Sequence, residues 1–266
     1  MTISQKLLSA SRSTLFEFII IVLGVLVALG VDAWQEERAE MQRLQRYLAA
    51  LSSEIEQNFY SIDMLMETII PRKLDRLERI ITALETDDVQ TLSSEEFLSE
   101  INRSTFNVKL WFTRNSYDTI ISSGGFKRLN DPDLEGWLSG SFAAPGVLLP
   151  QADSLRGNYP YLVSAMLPAS LSAHSSPMAG YADSEFNAPA VKDPQSAQAT
   201  AEHMLASRDL LLSATRAEVA YATAVWYSLA RLKGDFSFVQ KKLLEHPLLH
   251  GFEPSNPIEA PEPPTQ

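Results

Sequence analysis

The sequence predicts an all-α protein in which an N-terminal transmembrane helix continues into a long amphipathic helix packed in an antiparallel helical bundle. Three observations carry that expectation. Leu15 to Trp34 reads LFEFIIIVLGVLVALGVDAW, an apolar run with its two carboxylates, Glu17 and Asp32, near the ends. A rhythm of apolar residues at alternating spacings of three and four follows it without a break. A second long helical stretch lies near the C-terminus, with Leu205, Leu212, Val219 and Trp226 seven apart.

A bilayer core takes about 20 apolar residues of helix, which the run supplies. The eleven Leu, Ile, Val and Phe residues between Phe18 and Val31 favour insertion by roughly 3 to 7 kcal/mol in total, enough to carry an off-centre Glu17. A cleaved signal peptide is the competing reading, since Lys6 and Arg12 form a basic start and Val31-Asp32-Ala33 loosely resembles a cleavage site. The length of the apolar core and the helix-forming sequence after Ala33 favour an uncleaved anchor. Charges flanking the run are nearly balanced, Lys6 and Arg12 against Arg38, Arg43 and Arg46. The short N-terminal tail places the N-terminus in the cytoplasm and the helical domain in the periplasm of a bacterial inner membrane.

On one stripe of the run fall Glu17, Ile21, Gly24, Ala28, Asp32 and Gln35. Small residues four apart let a second helix approach closely, and polar groups in a bilayer favour a partner over lipid. Glu17, Gly24, Ala28 and Asp32 are therefore the candidate interface of a homo-oligomer through the span, against the simpler reading that Gly and Ala are common in any span.

The chain has 266 residues, is 45% hydrophobic and carries a net charge of −11. It is long enough for a real core and too acidic for the basic face that nucleic acid requires. The same balance argues against adhesion to anionic lipid beyond the span itself. With no cysteine, disulfides, thiolate nucleophiles and Cys-ligated metals are excluded. The expected partners are the lipid bilayer, a second copy of the span and an unidentified protein.

The string EFIIIVLGVLVALGVDAWQEE, from Glu17 to Glu37, resembles the N-terminal signature of a family of uncharacterised single-pass bacterial membrane proteins known only as a domain of unknown function. The matching positions are Glu17, Gly24, Ala28, Leu29, Asp32, Trp34 and Glu36. Tyr117 to Gly124, followed by Phe126 and Leu129, is similar to a second element of that family. The resemblance implies a single-pass topology and no particular activity.

Beyond the run, Leu44, Leu48, Leu51, Ile55, Ile62, Leu65 and Ile69 mark a seam, with Asn58 in one of its positions. Pro71 predicts a kink, after which the rhythm resumes one residue out of phase at Leu74, Leu77, Ile81 and Leu84. From Gln35 to Ile70 such a helix reaches about 54 Å, and its stripe must be covered by later helices or by another copy. Ser93 with Glu96 reads as a capping box opening a helix to Ser104. Tyr117 to Ser123 reads as a helix stopped by Gly124 and Gly125, and Asp131-Pro132 opens another. From Ala143 to Pro194 the chain reads as irregular apart from a helix over Ser154 to Ala173. A helix from Gln195 to Leu244 is expected to break at Gly234-Asp235 before a last turn at Phe238 to Glu245. The domain boundaries are thus an N-terminal tail over 1–14, the span over 15–34, a helical domain over 35–250 and a disordered tail over 251–266.

No constellation of residues identifies a reaction, cofactor or metal. His246 and His250 have a zinc-binding spacing on a helix, but Pro247 intervenes. Glu202-His203 reads as solvated surface. Ser122 to Lys127 has the glycines and lysine of a phosphate cradle without the spacing of one. Trp111, Phe112, Tyr117 and Phe126 read as aromatic core. The expectation is a non-enzymatic interaction, scaffold or sensory module. The alternative is an enzyme built from Glu54, Glu67, Asp118 and Glu218, although the Glu-x-x-His pairs of di-metal helical bundles are absent.

Overall fold

The computed structural model describes residues 3–86, 92–168 and 194–250, with side chains from Ile20 onward except Pro194. Every regular element among the described residues is helical. Helix α1 runs from Ile3 to Asp63, passes through a π-helical turn over Met64–Ile69, and continues as α2 over Ile70–Glu85. The N-terminal tail expected over 1–14 is thus part of the same helix from Ile3. The expected disordered tail lies outside the described residues.

The π turn corrects the expected kink. A proline ring would clash with the carbonyl four residues back, here that of Glu67. The wider turn takes that strain, with the Ile70 amide donating five residues back to the Leu65 carbonyl. A π turn also absorbs one extra residue, which is why the apolar rhythm restarts one position out of phase. The restart centres on Lys73, Leu77, Ile80 and Leu84, with Leu74 and Ile81 half-buried at its flanks.

Helices α3 (Ser94–Ser104), α4 (Asn115–Ser122), α5 (Gly125–Leu129) and α6 (Pro132–Ala143) follow. Ser93 and Glu96 form the expected reciprocal capping box. Gly124 adopts a left-handed φ of 71° between α4 and α5, a conformation glycine reaches without steric cost. Asp131 caps α6 by accepting from the Leu134 amide.

The helix expected over Ser154 to Ala173 is α8 (Tyr159–Met166), shorter than expected, and the stretch before it, expected to be irregular, holds α7 (Pro145–Asp153); each has proline in its first turn, where the missing amide has no cost. The last two helices are α9 (Pro194–Ala206) and α10 (Arg208–Glu245), divided at Ser207. Helix α10 passes through Gly234-Asp235 without the expected break, because Leu232, Phe236 and Val239 on either side are buried. The last turn is a 3-10 turn at Pro247–Leu249.

Helix α10 runs antiparallel to α1 and α2. Gln240 meets Ser52, Lys233 meets Asp63, Glu218 meets Lys73 and Arg208 reaches the Glu85 carbonyl. Its buried face carries Leu211, Thr215, Glu218, Ala222, Val225 and Leu229. The expected Leu205, Leu212, Val219 and Trp226 are half-buried flanks, one position off that face.

Two cores result. The proximal one gathers Leu44 to Ile70 of the rod with α4, α5, α6 and the C-terminal two thirds of α10. The distal one gathers Leu77 to Leu84 with α3, α8, α9 and the start of α10.

The segment preceding the proximal core is different. Residues Ile20 to Ala39 of α1 are exposed on every side, and Leu44 is the first buried residue. Among the described residues no helix is long and apolar enough to cross a membrane. The expected span over 15–34 is therefore not borne by those residues. Of the expected span, the side chains from Leu15 to Ile19 lie outside the described residues.

Candidate functional site

Between the two cores lies a buried polar layer. Lys73 is fully buried on α2, one turn past the π turn, at a position its helical phase directs inward. Glu218 is equally buried on α10, and its Oε1 lies 2.7 Å from the Lys73 ammonium. Lys73 donates to the carbonyls of Ser104, the last residue of α3, at 2.6 Å and of Phe106, two residues beyond it, at 2.7 Å. The Phe106 ring sits 4.6 Å from the ammonium. A cation at a helix C-terminus satisfies carbonyls that the helix leaves unpaired, and an ammonium has three donors to offer.

Around this pair, Arg156 enters from the α7–α8 turn. Its Nε stands 3.7 Å from Glu218 Oε2, an ion pair too long for a hydrogen bond, and its guanidinium lies 5.1 Å from the centre of the Tyr221 ring. Gly157 lets that turn close on α10, since a Cβ there would meet the Ala217 Cβ at 3.3 Å. Tyr159 shares a 2.6 Å hydrogen bond with Ser104, whose hydroxyl also serves the Ile101 carbonyl. Tyr221 donates to Asn107 Oδ1 at 2.8 Å.

Burial lowers the Lys73 pKa to about 8, against the opposing pull of Glu218, with Arg156 and Arg76 lowering it further. Burial likewise pushes the hydroxyls of Tyr159 and Tyr221 well above their usual range. Chemically the layer is closed. The Lys73 amine has no exposed surface; it donates to two carbonyls and forms a close ion pair with Glu218, whose two buried oxygens are held by charge rather than by hydrogen bonds, so it ties α2, the end of α3 with the segment after it, and α10 together.

The four carboxylates considered for an enzyme are not brought together. Glu54 accepts from the Ser116 and Tyr117 amides and so caps α4. Glu67 is exposed, Asp118 pairs with Arg114 at the surface, and Glu218 belongs to the layer above. No group of three or more His, Asp or Glu side chains suited to a metal occurs among the described residues. His246 caps the 3-10 turn through Nδ1, which accepts from the Leu248 amide, and His203 is exposed. Ser122 to Lys127 forms the helix stop and turn between α4 and α5.

Phe112, Tyr117 and Phe126 are core, as expected. Tyr117 stacks on Phe142 at 4.4 Å and lies 5.9 Å from Phe126, while Phe112 packs on Phe142 and Phe236, each at 5.6 Å. Trp111, expected with them, is 63% exposed. Asn58, expected only to fill a seam position, forms a two-way clamp: its amide donates to the Thr113 carbonyl and accepts from the Thr113 amide, both at 2.9 Å.

On the candidate span interface, Gly24, Ala28 and Asp32 are exposed and a Cβ at Gly24 would meet nothing within 4 Å. The Glu17 side chain lies outside the described residues. Lys73, Arg156, Tyr159 and Tyr221 were not legible as a group, because apolar periodicity set the core phase one position later on both long helices, at Leu74 and Val219 in place of Lys73 and Glu218.

Compared with protein-family models, with curated proteins and with solved structures, the chain matches none.

Proposed function

We propose that this chain is a single-pass membrane-anchored helical protein that acts by interaction, as a scaffold or sensory module, with its antiparallel bundle held on the periplasmic side of a bacterial inner membrane. One observation carries the reading: α1 is bare on every side from Ile20 to Val31, with its large apolar side chains 39% to 65% exposed, yet from Leu44 onward the same helix has its apolar seam buried. A helix apolar on all faces has no stable place in water, whereas in lipid it needs no partner. Leu15 to Ile19 extend the apolar sequence to the length of a bilayer core, with Glu17 near its edge. Gly24 and Ala28, with Glu17 and Asp32, remain the stripe proposed for self-association within the bilayer. Within the folded domain the Lys73–Glu218 layer serves to hold α2, α10 and the end of α3 together, in keeping with a module that acts by interaction.

Sodium carbonate washing of membranes from expressing cells tests the anchor. The intact chain is expected in the pellet with its N-terminus at Met1 or Thr2. Recovery in the supernatant with an N-terminus near Trp34 would overturn it. A reporter fused after Gln266 is expected to be active outside the cytoplasm, and a cytoplasmic readout would reverse the orientation.

A further inference from the structure

We propose that the corner formed by α4 and α5 rests on the headgroups of the leaflet through which α1 leaves the bilayer, and that anionic phospholipid is its partner. This rests on the reading of α1 as a membrane anchor and adds to it a second contact, made by the folded domain.

Helix α1 is unbroken from the apolar run into the domain, so height above the bilayer is counted in residues. Trp34, with the Arg38 guanidinium 5.5 Å from its ring centre, has the amphipathic chemistry of an interfacial pair. Glu40, six residues on, is already held by the domain, its Oε1 2.6 Å from Arg128 Nη1 on α5. Six residues of helix rise about 9 Å. Each headgroup layer is itself about 5 to 8 Å thick, being half the difference between the whole bilayer and its hydrocarbon core. The base of the domain therefore stands at the headgroups and not at the end of a long stalk.

The corner is fixed at that height. A Cβ at Gly125 would meet Leu44 Cδ1 at 3.4 Å and Ile120 Cγ2 at 3.1 Å, so the turn packs directly against the rod. Its chemistry suits an anionic surface. Ile121 to Asn130 carries Lys127 and Arg128 and no carboxylate, in a chain whose net charge is −11. Ile121, 48% exposed, adds an apolar side chain at the same corner. On α1 the carboxylates near this level are Glu36, Glu37 and Glu40, of which Arg128 neutralises Glu40 and Arg38 and Arg43 of the same helix offset the other two; around the corner Asp118 is paired with Arg114, Asp131 caps α6, Glu245 is paired with Lys242, and Asp133 and Glu135 are exposed in the first turn of α6.

Because the chain has no cysteine, single thiols can be placed at will. The full chain, as S122C, Q35C or E95C carrying a fluorophore, is reconstituted in nanodiscs containing a nitroxide-headgroup lipid, with phosphatidylglycerol present or replaced by phosphatidylcholine. Strong quenching is expected at Gln35 and Ser122 and none at Glu95, which opens α3 in the distal part. Omitting phosphatidylglycerol, or adding K127Q, is expected to weaken the Ser122 signal about fivefold, the effect of one basic side chain at an anionic surface, and to leave Gln35 unchanged. Quenching at Gln35 with Ser122 as dark to the quencher as Glu95 would overturn the docked corner while leaving the anchor intact. Absence of quenching at Gln35 would overturn the anchor and this proposal with it. Quenching at Ser122 indifferent to both lipid charge and K127Q would overturn the assignment of anionic phospholipid.

Discussion

The proximal and distal cores are built on the same two long helices, yet they are held in different ways. The proximal core is aromatic, with Phe59, Phe112, Tyr117, Phe142 and Phe236 linked in a chain of ring contacts, and its loop is clamped to the rod by Asn58 and Glu54. The distal core is chiefly aliphatic and small, with Leu77, Ile80, Leu98, Ile101 and Ala201 packed beside Phe97 and Tyr159. A helix that serves two sets of partners must present two apolar faces. The π turn at Met64–Ile69 rotates one face into the other, and the polar layer of Lys73 and Glu218 sits where the change takes effect. The difference teaches that a continuous pair of helices need not carry a continuous core.

The largest test of that division is Lys73→Met. It leaves the buried Glu218 carboxylate with only the longer Arg156 contact and is expected to destabilise the fold by about 3 to 5 kcal/mol, read by chemical denaturation. Adding Glu218→Leu removes the stranded charge and is expected to recover part of the loss. Recovery stays incomplete because the Ser104 and Phe106 carbonyls lose their donor, at about 1 to 3 kcal/mol for each one left unsatisfied. A single variant within about 1 kcal/mol of the parent would show that the pair does not join the cores.

How much of this was legible in the sequence follows from the same residues. Periodicity placed Leu44 to Ile69 correctly, because an uninterrupted apolar seam leaves one choice of face. Capping chemistry placed α3 and α6, because Ser93, Glu96 and Asp131 act locally. The phase shift after Pro71 was legible, but its cause was not: a kink and a π turn leave the same mark on the sequence. The register of α10 was missed by one position because its core face includes Thr215 and Glu218, and a polar residue inside a core is invisible to a count of apolar ones. The polar layer was illegible as a site for the same reason. Arg156 and Tyr159 reach it from a turn whose position depends on the tertiary fold.

The pH dependence of stability sharpens the comparison at the junction. Burial lowers the Lys73 pKa from 10.5 to about 8. Between those values the unfolded chain binds a proton that the folded chain does not, so this group makes stability rise with pH across the window. The rise is at most about 3 kcal/mol, at about 1.36 kcal/mol per pKa unit. Tyr159 and Tyr221 act oppositely above pH 10, since their hydroxyls titrate higher in the folded state. Both remain in Lys73→Met, and subtracting the two pH profiles isolates the lysine. The parent is expected to gain on the variant from about pH 8 to pH 10.5, and a flat difference would show that Lys73 titrates as an ordinary lysine.

The smallest expected effect decides whether the two cores open separately. Ser93→Ala removes the acceptor of the Glu96 amide, at about 1 kcal/mol for a lost N-cap. Helix α3 contributes Phe97, Leu98 and Ile101 to the distal core and nothing to the proximal one. If the distal part opens as its own cooperative unit, amide exchange accelerates about fivefold in α3 and in the helices packed on it, and amides of α4 and α6 keep their protection. If both cores open only together, the substitution lowers the slowest-exchanging amides of both by the same factor, because each then reports the one global transition. Exchange measured residue by residue on the parent and Ser93→Ala distinguishes the two. The confined pattern is expected, because the distal core is joined to the rest by two continuing helices and one buried ion-pair layer, whereas the proximal core has its own aromatic contacts and side-chain clamps.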